Sequence, residues 1–158
     1  MDLRTPADSR VTLTQLMGPG AANNLGKVHG GYIMKLCDEA GGMAASKYAR
    51  RHTVTIVVDS MTFHSPVNIG DLVTVAAEVT WTGRTSMETR VVVTAEDVIS
   101  GMITHTNTAY FVYVALDANG RSTPVPPLHC VTDEEKLRFE RAAARQEHRL
   151  KSREEFVE

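Results

Sequence analysis

Cysteine is scarce in this chain: Cys37 and Cys130 are the only two, far apart and without CxxC spacing. That excludes a disulfide framework or a zinc knuckle as the organising device and suits free thiols in a reducing, cytoplasmic setting. Long apolar runs are missing as well. No stretch approaches the roughly 20 apolar residues that span a bilayer, so no membrane span is expected. The opening Met1 to Arg10, with Asp2, Arg4, Asp8 and Arg10 around Pro6, has no apolar run of the secretory kind. Neither charge sign dominates: 17 Lys and Arg against 19 Asp and Glu leave a formal charge of -2. A chain so balanced has no global electrostatic reason to bind nucleic acid or an acidic membrane. Gly30-Gly31 belongs to neither GxxxxGK[ST] nor GxGxxG, so a phosphate-cradling loop is not indicated. Internal repeats and low-complexity tracts are also lacking.

What is present describes a folded α+β domain. Hydrophobic residues make up 42% and charged residues 23% of 158 residues, enough for one continuous core and too few residues for two. Val11, Leu13 and Leu16 among threonines predict a short strand over Arg10 to Met17, stopped by Gly18-Pro19-Gly20. Ile33, Leu36, Cys37, Ala40, Met43 and Ala44 recur at three and four positions and predict a helix from Gly30 to Tyr48. Gly41-Gly42 inside it costs helix stability, so missing side chains must serve close approach to another backbone, of a sheet by expectation. Four strands are then predicted over Thr53 to Phe63, Leu72 to Trp81, Thr85 to Ala95 and Met102 to Leu116. Their short connections leave no room for crossover helices, which makes the sheet antiparallel, and its long strands make it curved.

Asn23-Asn24-Leu25-Gly26-Lys27-Val28-His29-Gly30-Gly31-Tyr32-Ile33-Met34, followed by Cys37-Asp38-Glu39, forms a long and constrained pattern. With Val58 to Asp71, Gly83 to Glu88, Asn107 to Asp117 and Pro124 to Leu128, it resembles the hotdog-fold acyl-CoA thioesterases of the cytosolic acyl-CoA hydrolase type. The resemblance covers about residues 10 to 128. It implies a hotdog fold, a curved antiparallel sheet wrapped around a long central helix, as one domain over residues 1–128. It also implies hydrolysis of acyl-CoA, with medium to long acyl groups, to free acid and CoA. The partner is acyl-CoA and a second copy of the chain: a homo-oligomer with the dimer as minimal active unit, assembled further into a hexamer (trimer of dimers) or tetramer.

Carried over by position, Asp38 supplies the acidic residue from one chain and Asn23 the asparagine from the other. The chemistry suits them, since a thioester needs a nucleophile at its carbonyl carbon and a donor to the oxygen as charge develops. Asp38 as general base and Asp38 as direct nucleophile both remain open, as do water orientation and thioester hydrogen bonding for Asn23. Backbone N–H groups at His29, Gly30 and Gly31 begin the helix and are candidate oxyanion donors. Taken singly, a mid-helix aspartate is a solvated polar residue and a loop asparagine a turn former; the long pattern is what distinguishes them. Glu39 points about 100° away from Asp38 on a helix, against a paired-carboxylate site.

Lys27, Ser60, His64, Arg84, Thr85 and Ser86 are candidate contacts to the anionic CoA half. Ile33, Met34, Met61 and Phe63 are candidate walls of the acyl pocket. His29 and His64 lack ligand spacing with Asp38, so no metal is expected, and no cofactor beyond the CoA of the substrate. Tyr110-Phe111-Val112-Tyr113 could stack on RNA, but alternation leaves neither face with basic companions, and core or pocket packing is the better account. A non-catalytic acyl-CoA sensor or scaffold is the alternative reading, and Asn23 with Asp38 speaks against it. A hydroxyacyl thioester dehydratase ranks lower, its His and Asp/Glu arrangement being unmatched.

Residues 129–158 read as a charged C-terminal helical extension. Thr132-Asp133-Glu134-Glu135 is a capping-box pattern opening it. Arg145, Arg149 and Arg153 could reach a CoA phosphate on a neighbouring subunit, but interleaved glutamates favour a solvated helix face.

Overall fold

Alternation of Val, Ala and Thr with polar residues builds the strands, and the three-and-four spacing around Ala40 builds the helix they surround. The computed structural model describes residues 2–155, so Met1 and the expected helix end at Phe156 to Glu158 lie outside the described residues. Strand β1 (Val11–Leu16) leads through a loop to helix α1 (Gly30–Ala49). β2 (His52–Val58), β3 (Leu72–Thr82), β4 (Ser86–Glu96) and β5 (Ile103–Leu116) follow, and α2 (Asp133–Glu155) ends the described chain. The sheet runs β1-β3-β4-β5-β2 and every neighbouring pair is antiparallel. α1 touches all five strands, which requires the sheet to curl around it as expected of a hotdog domain.

Between helix and sheet lies the core. Ile33, Leu36, Cys37, Ala40 and Ala44 of α1 meet Val73, Val75 and Val79 of β3, Val91 and Val93 of β4, and Phe111 and Tyr113 of β5. Each fully buried large side chain contributes roughly 1.5 to 3 kcal/mol. The His29 ring caps α1 by accepting from Gly31 N–H at 3.0 Å, and Arg50, at φ 54°, ends it in the left-handed region. Gly41 accounts for the tight seating. A Cβ there would lie 2.6 Å from the Tyr113 hydroxyl and 2.8 Å from Thr89 Oγ1, whereas at Gly42 the nearest atom of Tyr113 is 3.5 Å away. The close approach is therefore to sheet side chains rather than to backbone.

Two sequence expectations need correction. The strand expected over Thr53 to Phe63 ends at Val58. Asp59 Oδ1 accepts the N–H of Ser60 at 2.8 Å, a local turn that takes the following residues off the ladder. The second concerns α2, whose capping box forms as expected: Glu135 N–H donates to Thr132 Oγ1, and Glu135 Oε2 accepts from Thr132 N–H. Arg153 is exposed as expected, but Arg145 and Arg149 do not lie on a solvated face. Arg145 and Arg149 turn inward to Glu88, which is fully buried on β4, and Arg138 reaches Glu78 of β3 at 2.8 Å. Charge spacing along a helix cannot reveal a carboxylate buried on a strand 57 positions away.

Candidate active site

Asp38 lies at the margin of the apolar stripe of α1, next to the buried Cys37, where the helix crosses the pair formed by β2 and β5. Thr55 and Tyr113 are direct partners across that ladder. Thr55 Oγ1 donates to Asp38 Oδ1 at 2.7 Å, and the Tyr113 hydroxyl lies 2.9 Å from the same oxygen and 3.0 Å from the Asp38 carbonyl oxygen. A register shift between Thr55 and Val57 turns Ile56 out of the ladder beside them, the kind of bulge that re-aims side chains. Oδ2 of Asp38 has no partner among the described residues. Asp38 lines an open groove of about 480 Å³ whose walls also include Glu39, Met43 and Ser46. Glu39 stands on the same groove, with Lys35 Nζ 3.8 Å from its carboxylate.

Burial chiefly, then the charge of Asp38 and the hydrogen bond to it, pushes the Tyr113 phenol well above its ordinary range, so it stays protonated and a donor. Burial, reinforced by Asp38, pushes the Cys37 thiol up to about 12 from 9.0. Both are acids whose neutral form is favoured by folding. Their contribution is complete below the unfolded-state values and is lost as pH rises past them, beginning with Cys37 near 9.0. Chemical denaturation is expected to show stability falling by about 1.4 kcal/mol per pH unit above that point. In Cys37→Ala the fall near 9.0 should be much shallower, with only the less buried Cys130 thiol left to ionise, and should steepen about one unit later, where the unfolded tyrosines ionise. An identical slope between about pH 9 and 10 in both proteins would remove Cys37 as the cause.

Most of the other candidate residues gather at the N-terminal start of α1, away from Asp38 at its middle. Asn23 anchors a tight turn: its N–H donates to Lys27 O, and its Oδ1 accepts from Leu25 and Lys27 N–H. Gly26, at φ 72°, allows the reversal. The side-chain oxygen is thus spent, and the amide Nδ2 is the end left to act on a ligand. Of the three candidate oxyanion donors two are occupied. His29 N–H donates to Ala21 O and Gly31 N–H to the His29 ring, leaving Gly30 N–H without an acceptor among the described residues. Lys27 Nζ donates to Asn68 Oδ1 at 2.6 Å. The Phe63 ring lies against Gly30, with His64 beside it on a shallow cavity of about 270 Å³.

Of the proposed acyl-pocket residues, Ile33 is a core residue at 1% exposure, Met61 packs half-buried on the core, and Met34 and Phe63 are exposed. Ser60 is exposed on the segment following Asp59. Arg84, Thr85 and Ser86 lie elsewhere, on the Tyr113 side of the sheet. Ser86 pairs with Val114, one residue from Tyr113, and the carbonyls of Arg84 and Thr85 accept from Val125 and Ala115. His64 is instead tied to Thr106, seven residues down β5 from Tyr113 and so roughly 23 Å away along the strand. One chain therefore carries two half-sets of candidates. Thr55 and Tyr113 were not singled out as site residues by the sequence; only strand pairing brings them to Asp38. Among the described residues no group of three His, Cys, Asp or Glu is placed to hold a metal ion, and no helix is long and apolar enough to cross a membrane.

Comparison with known proteins gives consistent results. The thioesterase superfamily model matches residues 25–102. The human cytosolic acyl coenzyme A thioester hydrolase is 38% identical over 89% of this chain and 38% of its own length. An uncharacterized acyl-CoA thioester hydrolase of Bacillus subtilis, YkhA, is 34% identical over 90% of this chain and 83% of its own. The crystal structure of an apo-hexameric acyl-CoA thioesterase superposes with a TM-score of 0.92 at 36% identity, covering 96% of this chain and 97% of that one. The acyl-CoA hydrolase of Staphylococcus aureus, in complex with butyryl coenzyme A, superposes with a TM-score of 0.90 at 29% identity over 98% and 94% of the two chains. Mutants of that enzyme with an aspartate, an asparagine or a threonine changed to alanine match as well.

Proposed function

The chain belongs to the thioesterase superfamily, and from that membership and the geometry at Asp38 we propose that it hydrolyses acyl-CoA thioesters at a site completed by two copies of the chain. One observation carries the proposal. Asp38 is held by Thr55 and Tyr113 on the wall of an open groove, while the free donors at Asn23 and Gly30 belong to the start of the same helix. Eight residues of helix separate Gly30 from Asp38, roughly 12 Å along the axis. A carboxylate and an oxyanion donor must both lie within about 3 Å of one thioester group. Within a chain they cannot, so the second half-set comes from a neighbour.

In this reading the Oδ1 of Asp38 is held by two hydroxyls and Oδ2 faces the substrate. Oδ2 takes a proton from attacking water or adds to the carbonyl itself. The amide of Asn23 and the N–H of Gly30, from the partner, receive the negative charge that develops on the carbonyl oxygen. CoA leaves as a thiolate, a leaving group that needs little general-acid help; on the water route the free acid remains, and on the direct route water then cleaves the acyl–Asp38 anhydride to the free acid and regenerates the carboxylate. No cofactor enters. β2 offers the surface for pairing, being an edge strand with an unpaired side on which Ile56 and Val58 are exposed, flanked by the exposed Met34 and Met43 of α1. Exposed apolar edges of this kind attract a second chain. Six copies, arranged as three such dimers, agree with the hexameric relatives, and a cytoplasmic location agrees with the cytosolic one.

We further assign medium to long acyl chains as substrate, because Met34 and Phe63 offer apolar surface next to the helix start. CoA release from saturated esters running from acetyl to palmitoyl tests this. Turnover rising toward the medium and long chains is expected. A maximum at acetyl would overturn the chain-length assignment, and no turnover across the series by a folded oligomer would overturn the hydrolase reading.

A further inference from the structure

Asp59 marks the place where the edge strand leaves the sheet. Its N–H still donates to Tyr110 O at 3.0 Å, and the next tie to β5 is His64 N–H to Thr106 O at 3.0 Å. Between these two bonds the chain runs free of the ladder and lays Phe63 against the start of α1, its ring 3.6 Å from where a Gly30 Cβ would be. The segment carries Ser60, Met61, Phe63 and His64, four of the candidate substrate contacts. Local turn bonding alone does not hold such a stretch in one place.

Besides the backbone ties at its two ends and the packing of Met61 on the core, a side-chain anchor comes from α2. Asp59 Oδ2 accepts from Arg149 Nη1 at 3.0 Å, and Arg149 Nη2 donates to Glu88 Oε2 at 2.9 Å. Glu88 is fully buried and also takes two bonds from Arg145, at 2.7 and 3.1 Å, and one from Thr80 at 3.1 Å. The Arg145 guanidinium lies 3.7 Å above the Tyr110 ring. Counting charges explains the attachment: Glu88 alone faces two guanidinium groups, leaving one positive charge in excess where Arg149 is only 10% exposed. Unbalanced charge is costly at low dielectric, and Asp59 is the carboxylate that balances it.

We propose that Arg149 is a positioning residue for substrate binding: through Asp59 it fixes the Ser60 to His64 segment against the start of α1 and thereby shapes the acyl-CoA groove. The proposal rests on the hydrolase reading above. It makes the C-terminal helix part of substrate binding without its touching substrate. Asp38, Thr55 and Tyr113 are held independently, because β2 remains paired to β5 through Val58.

Arg149→Met and Asp59→Asn, measured in the full-length oligomer, test it. Glu88 keeps both bonds from Arg145 in either variant, so the fold is retained. A charged hydrogen bond of this kind is worth roughly a tenfold effect, so KM for acyl-CoA is expected to rise about tenfold in each, with kcat within about twofold. The double variant should be no worse than either single one, and Arg149→Lys should recover part of the loss. Hydrogen exchange at Asp59 to His64 should quicken in both single variants, a readout that does not depend on turnover. Unchanged KM with unchanged exchange would overturn the proposal, as would a fall in kcat alone, the mark of a general loss of folded enzyme. A wild-type protein that hydrolyses no acyl-CoA would remove the hydrolase reading instead, and the exchange data would still decide whether Arg149 holds the segment.

Discussion

Asp38→Asn is expected to lower kcat for acyl-CoA hydrolysis by roughly 10²- to 10⁴-fold, the range for losing a general base or nucleophile. The substitution keeps an oxygen for Thr55 and Tyr113 to bond, so assembly and thermal stability should stay close to those of the wild type. The hydroxyl partners orient the carboxylate and do not replace it. Thr55→Val or Tyr113→Phe removes one charged hydrogen bond from Asp38 and should cost about 10- to 100-fold. The two-chain arrangement adds a sharper expectation. Asn23→Ala and Asp38→Asn proteins, each nearly inactive alone, should regain activity when unfolded together and reassembled. A mixed dimer then has one site in which both altered residues meet and one with the native pair intact. Steady-state CoA release on the mixture reads this directly. Failure to regain activity in mixed oligomers, shown to form, would mean that Asn23 and Asp38 serve the same chain's site or that Asn23 is not required.

Gly41→Ala is expected to be the most damaging small substitution on α1. Its methyl would lie 2.6 Å from the Tyr113 hydroxyl and 2.8 Å from Thr89 Oγ1. Both neighbours are buried, so the helix or the tyrosine must move. Overpacking of this order costs about 1 to 3 kcal/mol, against a gain of about 1 kcal/mol from replacing glycine in a helix. A loss of activity should accompany the loss of stability, because moving the Tyr113 ring takes one partner from Asp38. Gly42→Ala is the control. There the methyl would lie 3.5 Å from Tyr113, an ordinary contact, and thermal unfolding should show a much smaller change. Equal melting temperatures for the two variants would mean that close approach at Gly41 does not constrain the packing of α1 on the sheet.

The glycine pair also shows how far local reading goes. Two unfavourable residues inside a strongly periodic helix announce close packing, and α1 does press on the sheet. Which glycine matters and what it touches depend on where Tyr113 falls across the ladder. Asp38 behaves similarly. Its place in the long pattern and at the edge of the apolar stripe is visible in the chain, whereas Thr55, 17 positions away, and Tyr113, 75 positions away, become its neighbours only through antiparallel pairing. The capping box at Thr132 and Glu135 is legible because both partners lie within one helical turn. Arg145 and Arg149 are not, because helix periodicity reports which residues share a face and is silent on what that face meets.

The sequence by itself determined the element types, the antiparallel class, the central helix and the two residues on which the chemistry was expected to turn. Each of these rests on contacts over a few residues or on a contiguous pattern. Tertiary structure alone decided that Asp38 is oriented by two hydroxyls, that a buried glutamate turns the C-terminal helix inward, and that the candidate site residues of one chain fall into two sets, one at the start of its helix and one at the middle. Those outcomes follow from strand register and charge burial, which couple residues far apart in the chain and leave no periodic trace along it.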